Sequence, residues 1–343
     1  MIDLKSMLPE ELEAYLVSLG EPKFRAKQVF SWLHKGVKSF DEMRNLPQSL
    51  RNRLSEGAYV NALKLLRKQV SQRDGTAKYL WELRDGNAVE TVVMRYEHGL
   101  SICISSQVGC RQGCAFCAST IGGLVRNLTV SEMLDEVLYS QLDQGEKISN
   151  IVIMGIGEPL DNYDAVLKFL HLVNHPDGLN IGMRHIALST CGLTERIDDL
   201  AKENLQITLA LSLHAPDDET RSRLMPANRG RGVAEVIRAC ESYFAKTGRR
   251  ITFEYAMVNE VNDFPAQAEQ LAALARRVKA HINLIPLNHV EERQFSPSSP
   301  ERMRDFCAIL SERDANYTIR RSLGGDVDAS CGQLRRKREL ERL

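Results

Sequence analysis

Three cysteines fall within eight residues, in the run Cys110-Arg-Gln-Gly-Cys114-Ala-Phe-Cys117. Thiolates at this spacing can take three corners of a cubane iron–sulfur cluster. The fourth iron then lacks a protein ligand, so it can hold a small chelating molecule and pass it one electron. A structural zinc completed by a remote fourth ligand is the competing use of the same thiols. Phe116 beside the third cysteine, and a strand pattern directly before the run, favour the cluster. The chain has eight cysteines in 343 residues and an N-terminus, MIDLKSMLPEELEAYL, without a secretory pattern. Clustered thiols in a reducing compartment are read as ligands or catalysts rather than as a disulfide framework.

Other candidates sit where predicted strands end. Met154-Gly-Ile-Gly-Glu-Pro159 closes one strand; its glycines let backbone groups approach a ligand, and the Glu158 carboxylate can receive an ammonium. Ser189 ends the next strand, and Ser212 and His214 follow the one after, offering hydroxyl and imidazole groups to a ribose or carboxylate. Asn288, after Pro286, is of the same kind. Taken alone these are ordinary strand-end residues. Glu90, in Gly86-Asn-Ala-Val-Glu90, is inside a predicted strand, where a glutamate is commonly a solvated surface residue. Cys331 lies between Ser330 and Gly332 in a loop beyond the last strand, where a thiol can be nucleophilic. Cys191, Cys240 and Cys307 read as small core or half-buried residues.

The elements that position these residues change character along the chain. Residues 9–56 carry helical periodicity, with Leu12, Leu16 and Leu19 on one face and Phe24, Val29, Phe30 and Trp32–Leu33 on the next helix. Runs at 62–73, 77–84, 88–95 and 99–106 are separated by Asp74-Gly75, Asp85-Gly86 and His98-Gly99, which predicts successive antiparallel strands. From Cys103 onward, apolar strands alternate with helices, which predicts a parallel sheet closing into a full or partial barrel with its chemistry at the carboxyl ends of the strands. The fold class is α/β, a partial (β/α)6 barrel with a small N-terminal helical domain (1–60), a β extension (61–100) and a core with a C-terminal cysteine loop (101–343). No run approaches the length of about 20 apolar residues needed to span a bilayer, and the expected compartment is the cytoplasm. Charge is balanced at 45 basic and 45 acidic residues, so composition alone does not announce a nucleic-acid binder. Residues 1–70 carry 12 Lys/Arg against 8 Asp/Glu, and near its end the chain reads Arg335-Arg336-Lys337-Arg338. Both regions could touch phosphates or could be solvated surface.

The cysteine run resembles the hallmark of the radical-SAM superfamily. Cys103-Ile-Ser-Ser-Gln-Val-Gly-Cys110 through Arg126-Asn-Leu-Thr129, with Met154–Pro159, Ser212–Ala215, Leu284–Asn288 and Gly325–Leu334, resembles the RlmN-type dual-specificity rRNA/tRNA adenine C2-methyltransferases and their C8-methylating antibiotic-resistance relatives. The resemblance covers nearly the whole chain. It implies a [4Fe-4S] cluster on Cys110, Cys114 and Cys117, and S-adenosyl-L-methionine bound by Gly157, Glu158, Ser189, Ser212, Leu213, His214 and Asn288, with two molecules used per turnover. It implies that one methylates Cys331, and that a second, cleaved reductively, yields a deoxyadenosyl radical that activates the S-methyl group for addition to adenine. It further implies that Glu90 takes the ring proton and that Cys103 releases the RNA adduct by forming a disulfide with Cys331. The implied partners are 23S rRNA and tRNA, whose target base must be unstacked, and an electron donor such as flavodoxin or ferredoxin; the implied state is a monomer. C8 methylation of the same rRNA adenosine stays open, as does a non-catalytic metal-bearing RNA-binding protein.

Overall fold

The structure, a computed structural model, describes residues 1–288, 290, 292–321, 323–327 and 332–341, the last of these without the side chains of 337 and 339–341. A short parallel pair, β1 (Ile2–Asp3) with β2 (Ala58–Tyr59), joins the two ends of the N-terminal helical segment. Between them α1 (Pro9–Ser18), α2 (Phe24–Leu33) and α3 (Gln48–Gly57) bury Leu12, Leu16, Val29, Phe30, Leu33, Leu50 and Leu54. Their core is continuous with that of the rest of the chain.

A meander follows in β3 (Lys64–Val70), β4 (Ala77–Glu82), β5 (Ala88–Tyr96) and β6 (Gly99–Cys103), each antiparallel to the last. The turns fall at the predicted Asp-Gly and His-Gly dipeptides. Strand alternation then decides two faces. Tyr79, Trp81, Val89 and Val93 enter the main core, whereas Leu80 and Ala88 pack on the opposite side with Leu334. A second short pair, β7 (Gln107–Gly109) with β8 (Leu124–Asn127), brackets the cysteine run and holds the two ends of its loop together.

Helix α4 (Val130–Gln144) begins with a capping box: the Thr129 amide donates to Glu132 at 2.9 Å, and the Glu132 amide donates to Thr129 Oγ1 at 3.3 Å. The helix is buried almost all round, so its acidic residues need partners. Lys5 Nζ lies 2.6 Å from Asp135 with both side chains fully buried, and Glu136 accepts from Thr91 Oγ1 at 2.7 Å and from the Ser105 amide at 3.0 Å.

The alternating part runs β9 (Ile148–Ile153), α5 (Tyr163–Asn174), β10 (Ile186–Thr190), α6 (Thr194–Lys202), β11 (Thr208–Ser212), α7 (Asp218–Leu224), α8 (Val233–Thr247), β12 (Ile251–Met257), α9 (Pro265–Val278), β13 (His281–Pro286), α10 (Pro300–Glu312), β14 (Tyr317–Ile319) and α11 (Gln333–Glu341). All the larger strands form one 10-stranded sheet in the order β14-β13-β12-β11-β10-β9-β6-β5-β4-β3. From β6 to β14 the pairing is parallel, and β6 is the seam where the parallel barrel meets the antiparallel extension. The strand β6 and each of β9 to β13 lead into a helix, which is the expected (β/α)6 repeat, and β14 adds one short strand beyond it.

Sequence periodicity did not indicate β7, β8, α7 or α11. The first two have only 3 and 4 residues, too few to display a period. Helix α11 reads QLRRKRELE, polar nearly throughout, and is held by docking Leu334 onto Leu80 and Ala88. This corrects the reading of Arg335–Arg338 as a free basic end. Arg335 is buried, Arg336 Nε lies 3.0 Å from Glu292, and an Arg338 guanidinium nitrogen lies 2.7 Å from Glu82. The Lys337 side chain lies outside the described residues. No helix among the described residues is long and apolar enough to cross a membrane.

Candidate active site

The carboxyl ends of β9, β10 and β11 and the cysteine loop surround a cavity of about 200 Å³ lined by Cys110, Cys114, Phe116, Cys117, Gly157, Glu158, Ser189, Cys191, Ser212 and His214. Local hydrogen bonds shape the loop. Thr120 Oγ1 donates to the carbonyls of Cys114 (3.2 Å) and Cys117 (3.0 Å), and the Ala115 amide donates to Leu224 at 2.8 Å. Arg293 donates to the Cys117 carbonyl at 2.9 Å from outside. Burial pushes the Cys110 thiol up to about 12 and Cys114 higher still, with the Cys117 charge adding to both. Thiols so placed give up their protons to a bound metal.

The glycine motif ends β9 as a close approach. Gly157 has φ +115°, and a Cβ there would lie 2.7 Å from Cβ of Gln107 and 2.8 Å from its backbone nitrogen. The buried Glu158 carboxylate accepts from the amides of Leu160 (3.1 Å) and Cys191 (2.8 Å), and its own amide donates to Gln107 Oε1 at 2.9 Å. Burial raises its proton affinity, partly opposed by these amides. Ser189 and Ser212 face each other with their hydroxyls 3.0 Å apart. His214 has φ +56° and packs edge-on to Phe116. Its Nδ1 accepts from the Ala256 amide at 3.0 Å. Burial, with a smaller push from Arg221, brings the imidazole down to about 3, so the ring is neutral and Nε2 is the N–H donor.

Two of the expected cofactor residues stand differently. Leu213 spends its amide on Glu254 and its carbonyl on Arg221, and its side chain is core. Asn288 is exposed and absent from the cavity lining. Sequence reasoning missed Arg221. This fully buried guanidinium donates to the carbonyls of Cys191 (2.6 Å) and Leu213 (3.1 Å) and to Asn228 Oδ1 (2.7 Å), tying two strand ends together beneath the cavity. The only advance signal was an arginine four residues after an Asp217 helix cap.

The remaining candidates gather beside this cavity. Cys103 ends β6 as a buried residue paired across to Val92 and packed with Met94, Val152, Met154 and Leu323. Glu90 is not the exposed strand residue that its type suggests. One carboxylate oxygen accepts from the Gly332 amide at 2.7 Å and lies 2.9 Å from Lys78 Nζ; the other accepts from the Arg335 amide at 2.6 Å. Glu90 therefore caps the N-terminus of α11. Gly332 in turn, at φ +84°, packs so closely on the cysteine loop that a Cβ would sit 2.9 Å from the Ser119 nitrogen. Cys331 lies outside the described residues, but its neighbour Gly332 touches both Glu90 and the loop carrying Cys117. No disulfide joins two of the described cysteines, and the expected Cys103–Cys331 bond lies outside the described residues.

Residues 104–275 match the model of the radical SAM superfamily, and residues 2–60 match that of the ribosomal RNA large subunit methyltransferase N-terminal domain. The chain is 50% identical over 337 residues to a Clostridium tetani protein named probable dual-specificity RNA methyltransferase RlmN, spanning 98% of this chain and 97% of that one. To its Thermoanaerobacter namesake it is 49% identical over 343 residues, 100% of each. The chain belongs to the RlmN family. A solved radical SAM methyltransferase from Sphaerobacter thermophilus superposes with a TM-score of 0.92 at 42% identity, over 97% of this chain and 99% of that one.

The residues present fit the iron–sulfur cluster that the radical-SAM family implies. The three thiols line one cavity, and three thiolates can take three corners of a cubane cluster, leaving the fourth iron open. The glycine-lined wall, the facing serines and the neutral His214 leave room and polar groups for a nucleoside-bearing cofactor beside it.

Proposed function

We propose that this RlmN-family chain methylates C2 of an adenosine in RNA, acting on 23S rRNA and on a tRNA anticodon loop, with Cys331 as the methyl carrier. The contact of Glu90 with the Gly332 and Arg335 amides carries this reading. It puts a carboxylate one peptide from Cys331 and beside the cluster loop, which a fold-stabilising metal site has no need for. Cys110, Cys114 and Cys117 would hold the [4Fe-4S] cluster, and the Gly157–Glu158 wall with Ser189, Ser212 and His214 would hold S-adenosyl-L-methionine. Together these cofactors supply the one-electron chemistry that an unactivated aromatic carbon demands. The protein's own part is to accept a methyl group on Cys331, to present it to the base, to take the ring proton on Glu90, and to resolve the RNA adduct through Cys103 by a transient disulfide.

RNA would meet the open side of the barrel. A cleft of about 720 Å³ along the barrel's inner face is lined by Arg95, Glu97, His98, Arg184 and His185 at the amino ends of β6 and β10, by Asn150, Glu254 and Asn283, and by Arg320 and Arg321 after β14; Met154 borders both this cleft and the cofactor cavity. Arg320 and Arg321, at the carboxyl end, would meet RNA phosphates. The site's residues would serve a cytoplasmic enzyme fed by a flavodoxin- or ferredoxin-like donor.

The test is mass-spectrometric mapping of rRNA and tRNA from cells with and without the gene. 2-Methyladenosine that depends on the gene supports the proposal, 8-methyladenosine supports the C8 chemistry instead, and no change in either refutes both.

A further inference from the structure

Lys78 touches Glu90 but has been given no role above, and its environment is unusual. It lies in β4 between Ala77 and Tyr79, a strand position whose alternation reads as a solvated lysine. The structure buries it completely, because α11 covers that face of the β4–β5 ribbon. In the ladder Leu80 pairs with Glu90 and Lys78 pairs with Val92, so Lys78 and Glu90 are diagonal neighbours on one face, within reach of a long side chain. The ammonium lies 2.9 Å from Glu90, and the two side chains are 0% and 2% exposed.

We propose that Lys78 is a positioning residue for Glu90, holding its carboxylate in place beside the segment that follows Cys331. This rests on the reading of Glu90 as proton acceptor. A carboxylate so deeply buried needs a compensating charge, and the ammonium 2.9 Å away supplies it. In the step concerned the ring C–H bond breaks, its electron pair stays with the base, and the proton passes to Glu90, which becomes neutral. The amides of Gly332 and Arg335 hold the same carboxylate, but they belong to the segment that follows Cys331, whereas Lys78 lies on the β4–β5 ladder with Glu90 itself. The same ammonium limits the side-chain rotation of Glu90 by holding one of its oxygens from below.

The experiment uses the full chain with its cluster reconstituted anaerobically, S-adenosyl-L-methionine, reductant and an rRNA fragment. Four proteins are compared: parent, Glu90→Gln, Lys78→Met and the double variant. With Lys78→Met, 5′-deoxyadenosine formation and S-methylation of Cys331 should stay within about twofold of the parent, whereas released methylated RNA should fall at least tenfold and covalent RNA–protein adduct should accumulate. The double variant should be no worse than Glu90→Gln alone, because both changes act through one group. It also removes both charges together, so it serves as the folded comparison if Lys78→Met alone fails to fold. A parallel fall in 5′-deoxyadenosine, Cys331 methylation and product would mark a merely structural lysine and overturn the proposal. So would a double variant at least tenfold below Glu90→Gln. A fully active Glu90→Gln would overturn the proton-acceptor reading itself, whereas adduct with Glu90→Gln but none with Lys78→Met would overturn only the role given to Lys78.

Discussion

Replacing Gly157 by alanine isolates the close approach that shapes the cofactor cavity. Gly75 offers a matched control: it also has positive φ, +72°, but a Cβ there would meet nothing within 4 Å. Gly75→Ala should cost only the left-handed penalty, about 1–2 kcal/mol. At Gly157 the same penalty is joined by overlap with Gln107, whose Cβ and backbone nitrogen would lie 2.7 and 2.8 Å away. Gln107 cannot retreat freely. Its amide donates to Ile156 at 3.1 Å, its side-chain nitrogen donates to Asn127 (2.8 Å) and Asp161 (2.9 Å), and its side-chain oxygen accepts from Glu158 at 2.9 Å. Losing two of these bonds costs about 1 kcal/mol each, so Gly157→Ala should be about 2 kcal/mol worse than the control. Relief by moving residues 157 and 158 shifts the cavity wall, and every 1.4 kcal/mol or so forfeited there is tenfold in affinity. Urea unfolding should place Gly157→Ala below Gly75→Ala. Equilibrium dialysis of S-adenosyl-L-methionine against the reconstituted proteins should show more than a tenfold loss for Gly157→Ala and none for Gly75→Ala. Equal behaviour of the two variants in both assays would refute the steric argument.

Replacing Cys110, Cys114 or Cys117 by alanine should abolish cluster incorporation; a triple variant retaining its full iron content would remove the assignment. Cys331→Ala should keep the cluster and lose RNA methylation, while Cys103→Ala should trap RNA on the protein; absence of adduct on a denaturing gel would exclude Cys103 from the resolving step. Neutralising Arg320 and Arg321 should make the log–log salt slope of RNA binding shallower by about 0.7–0.9 for each phosphate that no longer meets a cation, whereas neutralising Arg336 and Arg338 should loosen α11, as hydrogen exchange would reveal, and leave the slope unchanged. His34 is buried, with its Nδ1 3.0 Å from the Phe30 carbonyl, and burial brings it down to about 4. The unfolded chain therefore binds this proton first, and the stabilisation present above about pH 6.5 is lost as pH falls toward 4, by up to about 3 kcal/mol. Urea midpoints from pH 7 to 4 should show a shallower decline for His34→Gln; an identical profile would show that His34 does not titrate in this way.

Much of this molecule is written in local chemistry. The cysteine spacing, the Gly-Ile-Gly-Glu turn and the alternation of β and α periods are properties of a few neighbouring residues, so the cysteine loop, the close turn after a strand and the barrel were legible in sequence. The Asp-Gly and His-Gly turns likewise fixed the meander, because those dipeptides accept the backbone conformations that short hairpins need. The surroundings of Glu90, Lys78 and the Arg335–Arg338 run were not legible. A glutamate or lysine in an alternating strand reads as solvated, and a run of four basic residues reads as a phosphate-binding end, because each reading assumes water on the open face. Tertiary structure removes that water: α11 returns across about 240 residues of sequence separation to cover the β4–β5 face. Once the face is covered, burial forces the charges to pair, and residues that local pattern assigned to the surface become the seat of the candidate catalytic loop.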